Sequence, residues 1–217
     1  MPLDAPTVAA LLDARHGDPF AVLGARHGAD GRIHFATLQR EAVRVRVRPR
    51  HDPDAVFELA HRADGLFEGS CPGDRVFPYE FLVTRRWCPE EERLECDPYS
   101  FWLHLSEWDL DRFREGRHHD IEQVLGARRH RVDGCSGTLF AVWAPAAESV
   151  GVAGDWNGFD GRWHPMRLRH PYGVWELFIP GVAVGARYKY QVRGRDGHVR
   201  YKADPFARVS EVPPATA

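Results

Sequence analysis

The chain has 217 residues, enough for one large or two ordinary domains of roughly 100–150 residues each. Two domains would leave no room for a (β/α)₈ barrel, which takes about 200 residues at the least. Lys+Arg total 29 and Asp+Glu 31, so no global field draws nucleic acid or an anionic membrane, and neither is expected as a partner.

Hydrophobic residues make up 43% and charged residues 28%, so a core can be built. No apolar run approaches the roughly 20 residues that span a bilayer. The opening Met1-Pro2-Leu3-Asp4 lacks the positive region of a signal peptide. A soluble, cytoplasmic protein is expected. Cys71, Cys88, Cys96 and Cys135 form no CxxC pair and show no zinc-ligand spacing. No metal and no cofactor is expected.

Residues 7–15 suit a short helix, with Thr7 as cap, Val8, Leu11 and Leu12 on one face, and Gly17 as stop. Alternation then marks strands. Ile33, Phe35 and Thr37 alternate with His34 and Ala36, and Val43, Val45 and Val47 alternate with Arg44, Arg46 and Arg48. The arginine side reads as a solvated strand face. More strands are expected at 55–60, 66–69 and 77–86. Glu90-Glu91-Glu92 reads as a solvated loop, and 106–120 as a polar linker leading to a helical turn over 121–125. Beyond it, strands are expected near 138–143, 149–154, 163–168, 173–179, 187–193 and 198–202. Turn signals such as Asn157-Gly158, Pro180-Gly181 and Asp196-Gly197 separate them.

An internal repeat organises the chain. Val22-Leu23-Gly24-Ala25-Arg26 recurs as Val124-Leu125-Gly126-Ala127-Arg128. Tyr79-Glu80-Phe81 parallels Tyr188-Lys189-Tyr190, and Asp97-Pro98-Tyr99 parallels Asp204-Pro205-Phe206. The fold expected is all-β: two tandem immunoglobulin-like β-sandwiches with a short N-terminal helix and a helical linker. The boundaries expected are 1–105, a linker over 106–126, and 127–217.

No chemistry-bearing motif of the GxSxG, phosphate-loop or HExxH kind is present, and no catalytic residue is assigned. Asp64, Asp155, Asp160 and Asp196 stand in Gly-rich turns, where Asp serves the backbone. The window Gly154 to Trp163 holds three aromatics in a turn-rich stretch. Flat aromatic faces with a few polar groups beside them suit the apolar face of a sugar ring. Trp175 alternates with Leu177 and Ile179 and reads as core, as does Trp143. Trp156 and Trp163 are candidates for touching sugar.

Phe140-Ala141-Val142-Trp143-Ala144-Pro145, Gly151 to Asn157, Gly173-Val174-Trp175-Glu176 and Tyr201-Lys202-Ala203-Asp204-Pro205-Phe206 together resemble the family-48 carbohydrate-binding modules. With His16-Gly17-Asp18-Pro19-Phe20 and Asp97-Pro98-Tyr99-Ser100-Phe101, essentially the whole chain resembles the N-terminal part of the bacterial glycogen branching enzymes, and Val212 to Ala217 resembles the junction into their catalytic barrel. The resemblance implies α-1,4-glucan or glycogen as ligand and a family-13 catalytic barrel as partner, in cis or in trans. It also implies a carbohydrate site near Trp156, Asn157, Phe159, Trp163, Lys189 and Tyr201. The family keeps a second stacking aromatic where this chain has Val199, with Tyr201 two residues on. The barrel's Asn-His motif is absent, since the only asparagine, Asn157, precedes Gly158. A glycogen-binding adaptor that stands alone and a purely structural interaction module are the other readings.

Overall fold

The computed structural model describes residues 2–211. The tail Val212 to Ala217, expected to resemble a barrel junction, lies outside the described residues. The chain divides into two compact units: Met1–Leu12 with Phe20–Phe101, and Asp13–Pro19 with Trp102–Ala217. Both are built of antiparallel strands, as the alternation in the sequence requires.

The first unit opens with helix α1 (Ala5–Leu12). Asp4, not Thr7, caps it: Asp4 Oδ1 accepts from Thr7 N at 2.9 Å. Seven strands follow: β1 (Gly24–His27), β2 (Arg32–Leu38), β3 (Ala42–Pro49), β4 (Phe57–Ala63), β5 (Leu66–Pro72), β6 (Tyr79–Arg85) and β7 (Cys88–Glu95). They make one sheet in the order β1-β2-β5-β4-β3-β6-β7. Ile33, Phe35, Phe67 and Cys71 pack with Val45, Val47, Phe81 and Val83 in the core. The arginines on the other side of β3 are paired across strands. Arg44 binds Glu58 at 2.9 Å, Arg48 binds Glu80 at 3.0 Å, and Arg46 binds Glu92. Glu90-Glu91-Glu92 is therefore part of strand β7, whose acidic side chains complement the arginine row beside it.

The second unit contains β8 (Gly126–Val132), β9 (Cys135–Trp143), β10 (Ala147–Gly154), β11 (Arg167–Arg169), β12 (Val174–Pro180), β13 (Tyr188–Gly194) and β14 (Val199–Lys202). Two sheets form, β11-β12-β9-β8 and β10-β13-β14. Trp175, Phe140, Phe178 and Tyr190 are buried in the unit. Trp143 is not: at the end of β9 it is 54% exposed, with Phe113 edge-on at 5.8 Å. The expected strand at 163–168 is broken into a 3₁₀ turn over Gly161–Trp163 and the three-residue β11.

The polar stretch read as a linker contains helix α2 (Glu107–Arg114), capped by Ser106 Oγ accepting from Asp109 N at 3.1 Å. It packs on its own unit, where Tyr172 donates to Asp111 at 3.1 Å. Just before it, Leu105 is held by a buried pair. Arg169 Nη1 stands 3.1 Å from Glu176 Oε1 and donates to Leu105 O at 2.8 Å, while Leu105 N donates to Glu176 Oε2 at 3.0 Å.

The repeat is physical as well as textual. Gly24 and Gly126 both have positive φ, +86° and +92°. A Cβ on either would press within 3.0 Å of a carbonyl, that of Tyr99 or that of Phe206. Asp97 accepts from Tyr99 N at 2.9 Å, and Asp204 from Phe206 N at 2.8 Å.

Candidate functional site

The site expected from sequence lies on the β10-β13-β14 sheet and the turn that follows β10. In β13, Lys189 and Gln191 project to one face while Tyr188 and Tyr190 are buried on the other. Strand β14 pairs Tyr201 with Gln191 and Val199 with Arg193, so Tyr201 and Val199 join that outer face. On the other flank, Gly151 pairs with Gln191 and Ala153 with Lys189.

The turn folds back over this face. Gly158 and Phe159 both take left-handed φ, +68° and +57°, and Phe159 N donates to Gly154 O at 2.8 Å. Gly161 then lies flat on the sheet: a Cβ there would fall 2.7 Å from Gln191 Cβ. Gly161 N donates to Gln191 Oε1 at 3.0 Å, and the Tyr201 hydroxyl donates to the same oxygen at 3.0 Å. Gln191 thus ties turn and edge strand together, with the 51%-exposed Tyr201 ring beside it. Asp160 accepts from Arg162 N at 3.0 Å and from Arg162 Nη2 at 2.7 Å, and the Arg162 guanidinium carbon lies 5.9 Å from the Trp163 ring centroid. Burial raises the Tyr201 phenol pKa, the nearby Asp160 charge adds to the rise, and Arg162 opposes it.

The six expected site residues separate into two groups. Lys189 and Tyr201 share the outer face, next to the turn that carries Trp163. Phe159 sits half-buried at the left-handed bend. Asn157 belongs to the interior instead, and the half-buried Trp156 packs inward. The Trp156 ring is tilted on Phe140 at 5.7 Å and edge-on to His164 at 6.2 Å. Asn157 is 2% exposed, which corrects its assignment as a sugar contact. Its Oδ1 accepts from Gly154 N at 2.8 Å, and its Nδ2 lies 2.8 Å from both Val152 O and His164 Nδ1. All its polar capacity except one lone pair is spent on bracing the turn. Burial pushes the His164 imidazole down to about 4, so the ring is neutral near pH 7, and the Asn157 Nδ2 donor beside Nδ1 selects the tautomer in which Nδ1 accepts.

Sequence reasoning missed Gln191 and Arg162. The signal for Gln191 was its period-2 position between Lys189 and Arg193 on the wet face of β13. Arg162 was legible only as the residue after the Asp160-Gly161 turn.

Residues 4–99 match the family described as alpha-1,4-glucan branching enzyme GlgB, N-terminal domain. Residues 124–207 match carbohydrate-binding module 48 (isoamylase N-terminal domain). The chain is similar to 1,4-alpha-glucan branching enzyme GlgB of Pseudomonas putida, 46% identical over 215 residues, covering 96% of this chain and 28% of the relative. It is 47% identical over 215 residues to the GlgB of Pseudomonas fluorescens Pf-5, covering 98% of this chain and 28% of that relative. The chain thus spans 28% of the length of these relatives. Among solved structures, the pullulanase of Anoxybacillus sp. LM18-11 aligns at a TM-score of 0.36 and 15% identity, over 88% of this chain and 26% of that one. The chain thus carries two matched domains in tandem, a GlgB N-terminal domain over residues 4–99 and a family-48 carbohydrate-binding module over residues 124–207.

Proposed function

We propose that the chain is a non-catalytic part of a 1,4-alpha-glucan branching enzyme, which binds or orients α-1,4-glucan and braces a catalytic barrel supplied in cis or in trans. One observation carries the reading. Tyr201 and Lys189 share an outer sheet face, joined through Gln191 to the turn bearing Trp163. An exposed ring with hydrogen-bonding groups at its edge suits the apolar face and hydroxyls of a glucose unit. Within the six-residue set, Tyr201, Trp163, Phe159 and Lys189 are the proposed contacts. Tyr201 stands one residue pair, about 7 Å, along β14 from Val199 and supplies the second aromatic.

The bracing role has separate support. Trp143 is 54% exposed at the end of β9, in the other sheet, with Phe113 against it. Exposed tryptophan and its aromatic neighbour are the type of surface that a protein partner covers.

The test uses the purified chain. It should be retarded in native gels containing glycogen and should leave amylose unchanged by iodine staining. Unaltered mobility would contradict glucan binding, and branching or hydrolysis would contradict the non-catalytic reading.

A further inference from the structure

A recess lies within the first unit. A cavity of about 220 Å³ opens on the side of the β1-β2-β5-β4 strands opposite the core. That is well above the space one water needs. Register explains its lining. Arg26 pairs with His34, and His34 with Ser70, so these three form a row across the sheet. Glu68 and Ala60 form the next row on the same face, with Arg62 two residues on from Ala60.

The charges do not balance within the recess. Both oxygens of Glu68 are engaged: Oε1 stands 2.6 Å from Arg62 Nε, and Oε2 accepts from Leu3 N at 3.0 Å. Ser70 Oγ accepts from Arg32 Nε at 2.9 Å. His34 is bound to Asp30 at 3.0 Å. Arg26 is half-buried and gives Nη1 to the Ala21 carbonyl at 3.2 Å, while its buried Nε has no acceptor among the described residues. The lining holds two arginines, Arg26 and Arg62, against one carboxylate, Glu68, which leaves one cationic charge in excess. Burial accordingly lowers the Arg26 pKa, with Glu68 opposing the shift. A neutral polyol would leave this guanidinium charge uncompensated. A tetrahedral oxyanion compensates it and accepts several charge-assisted hydrogen bonds at once.

We propose that this cavity binds a phosphate group, with Arg26 as its main ligand and Arg62 at the wall. Free phosphate and a sugar phosphate share that chemistry. The test is ¹H–¹⁵N shift mapping of the full chain with inorganic phosphate and, separately, with glucose 1-phosphate, at ionic strength matched by KCl. Saturable shifts are expected at Arg26, His34 and Ser70. Arg26→Gln should weaken binding about tenfold or more, while Arg93→Gln, on strand β7 and outside the lining, should bind as the parent does. Tighter binding of the sugar phosphate would assign the site to that source, and equal binding to the phosphate group alone. Shifts that never saturate, or that appear elsewhere in the parent chain, would overturn the proposal whether or not Arg26→Gln folds. Unchanged affinity in a folded Arg26→Gln would do the same.

Discussion

The Tyr79 hydroxyl donates to Asp97 across 2.5 Å inside the first unit. Tyr188 makes the corresponding bond to Asp204 at 2.6 Å in the second, joined by Tyr190 at 3.2 Å. Each carboxylate also caps the turn that closes its own unit. The Asp-Pro-aromatic motif is therefore a buried latch. It holds the end of each unit against the β-strand tyrosine and against the glycine that opens the unit.

The first latch has a pH signature. Burial raises the Asp97 pKa to about 6, against hydrogen bonds from Tyr79 and Tyr99 that lower it. Between about pH 4 and about 6 the native state keeps a proton that the unfolded chain has released. Stability of the first unit should therefore fall as pH rises through that window, by on the order of 3 kcal/mol. Urea unfolding followed from pH 4 to 8 measures the slope. Asp97→Asn should flatten it, whereas Asp97→Ala should cost about 2–4 kcal/mol by stranding the Tyr79 hydroxyl and Tyr99 N–H.

The second unit should respond in the opposite direction. Burial lowers both His164 and His104 to about 4, and the His130 charge adds to the effect at His104. Below pH 6.5 the unfolded chain takes up protons that the native state refuses. Stability from these neutral rings is full above about 6.5 and is lost as pH falls towards about 4. NMR titration of the two rings should give midpoints near 4; midpoints near 6.5 would remove the effect.

Asn157 and Tyr201 should separate bracing from binding. Asn157→Ala leaves Gly154 N and Val152 O without their partner and should cost about 2–4 kcal/mol. Tyr201→Ala removes an exposed ring and should cost within about 1 kcal/mol, while reducing retardation in glycogen gels. Thermal melts beside the gels distinguish the two.

The Arg169–Glu176 pair should be intolerant of single changes. Both side chains are almost fully buried, and both hold Leu105. Glu176→Gln strands the guanidinium and should cost about 3–5 kcal/mol. Replacing both partners, Arg169→Met with Glu176→Leu, should recover part of that loss, as read by denaturant midpoints.

The strands of both units were legible because alternation of Val, Ile, Phe and Tyr with polar residues leaves little choice of face. The repeat was legible because one backbone geometry, left-handed Gly24 or Gly126 against an Asp-Pro-aromatic turn, demands the same residues twice. What failed was context. Strand β7 hid behind three consecutive glutamates, one of which, Glu92, finds its partner Arg46 on a strand 46 residues away. Helix α2 hid in a polar stretch because its contacts, Tyr172 and Trp143, are equally remote in sequence. Trp156 and Asn157 looked surface-bound because a turn was expected to be wet. This turn closes on its own sheet instead, and spends its only asparagine inward.

Glucan binding is proposed for the outer face of the β10-β13-β14 sheet. The most direct measurement is ¹H–¹⁵N and aromatic shift mapping of the chain with maltoheptaose. Saturable shifts are expected at Tyr201, Gln191, Lys189 and Trp163, with the Trp156 indole and the Asn157 amide little changed. Shifts centred on Trp143 and Phe113, or no saturable shift at all, would contradict it.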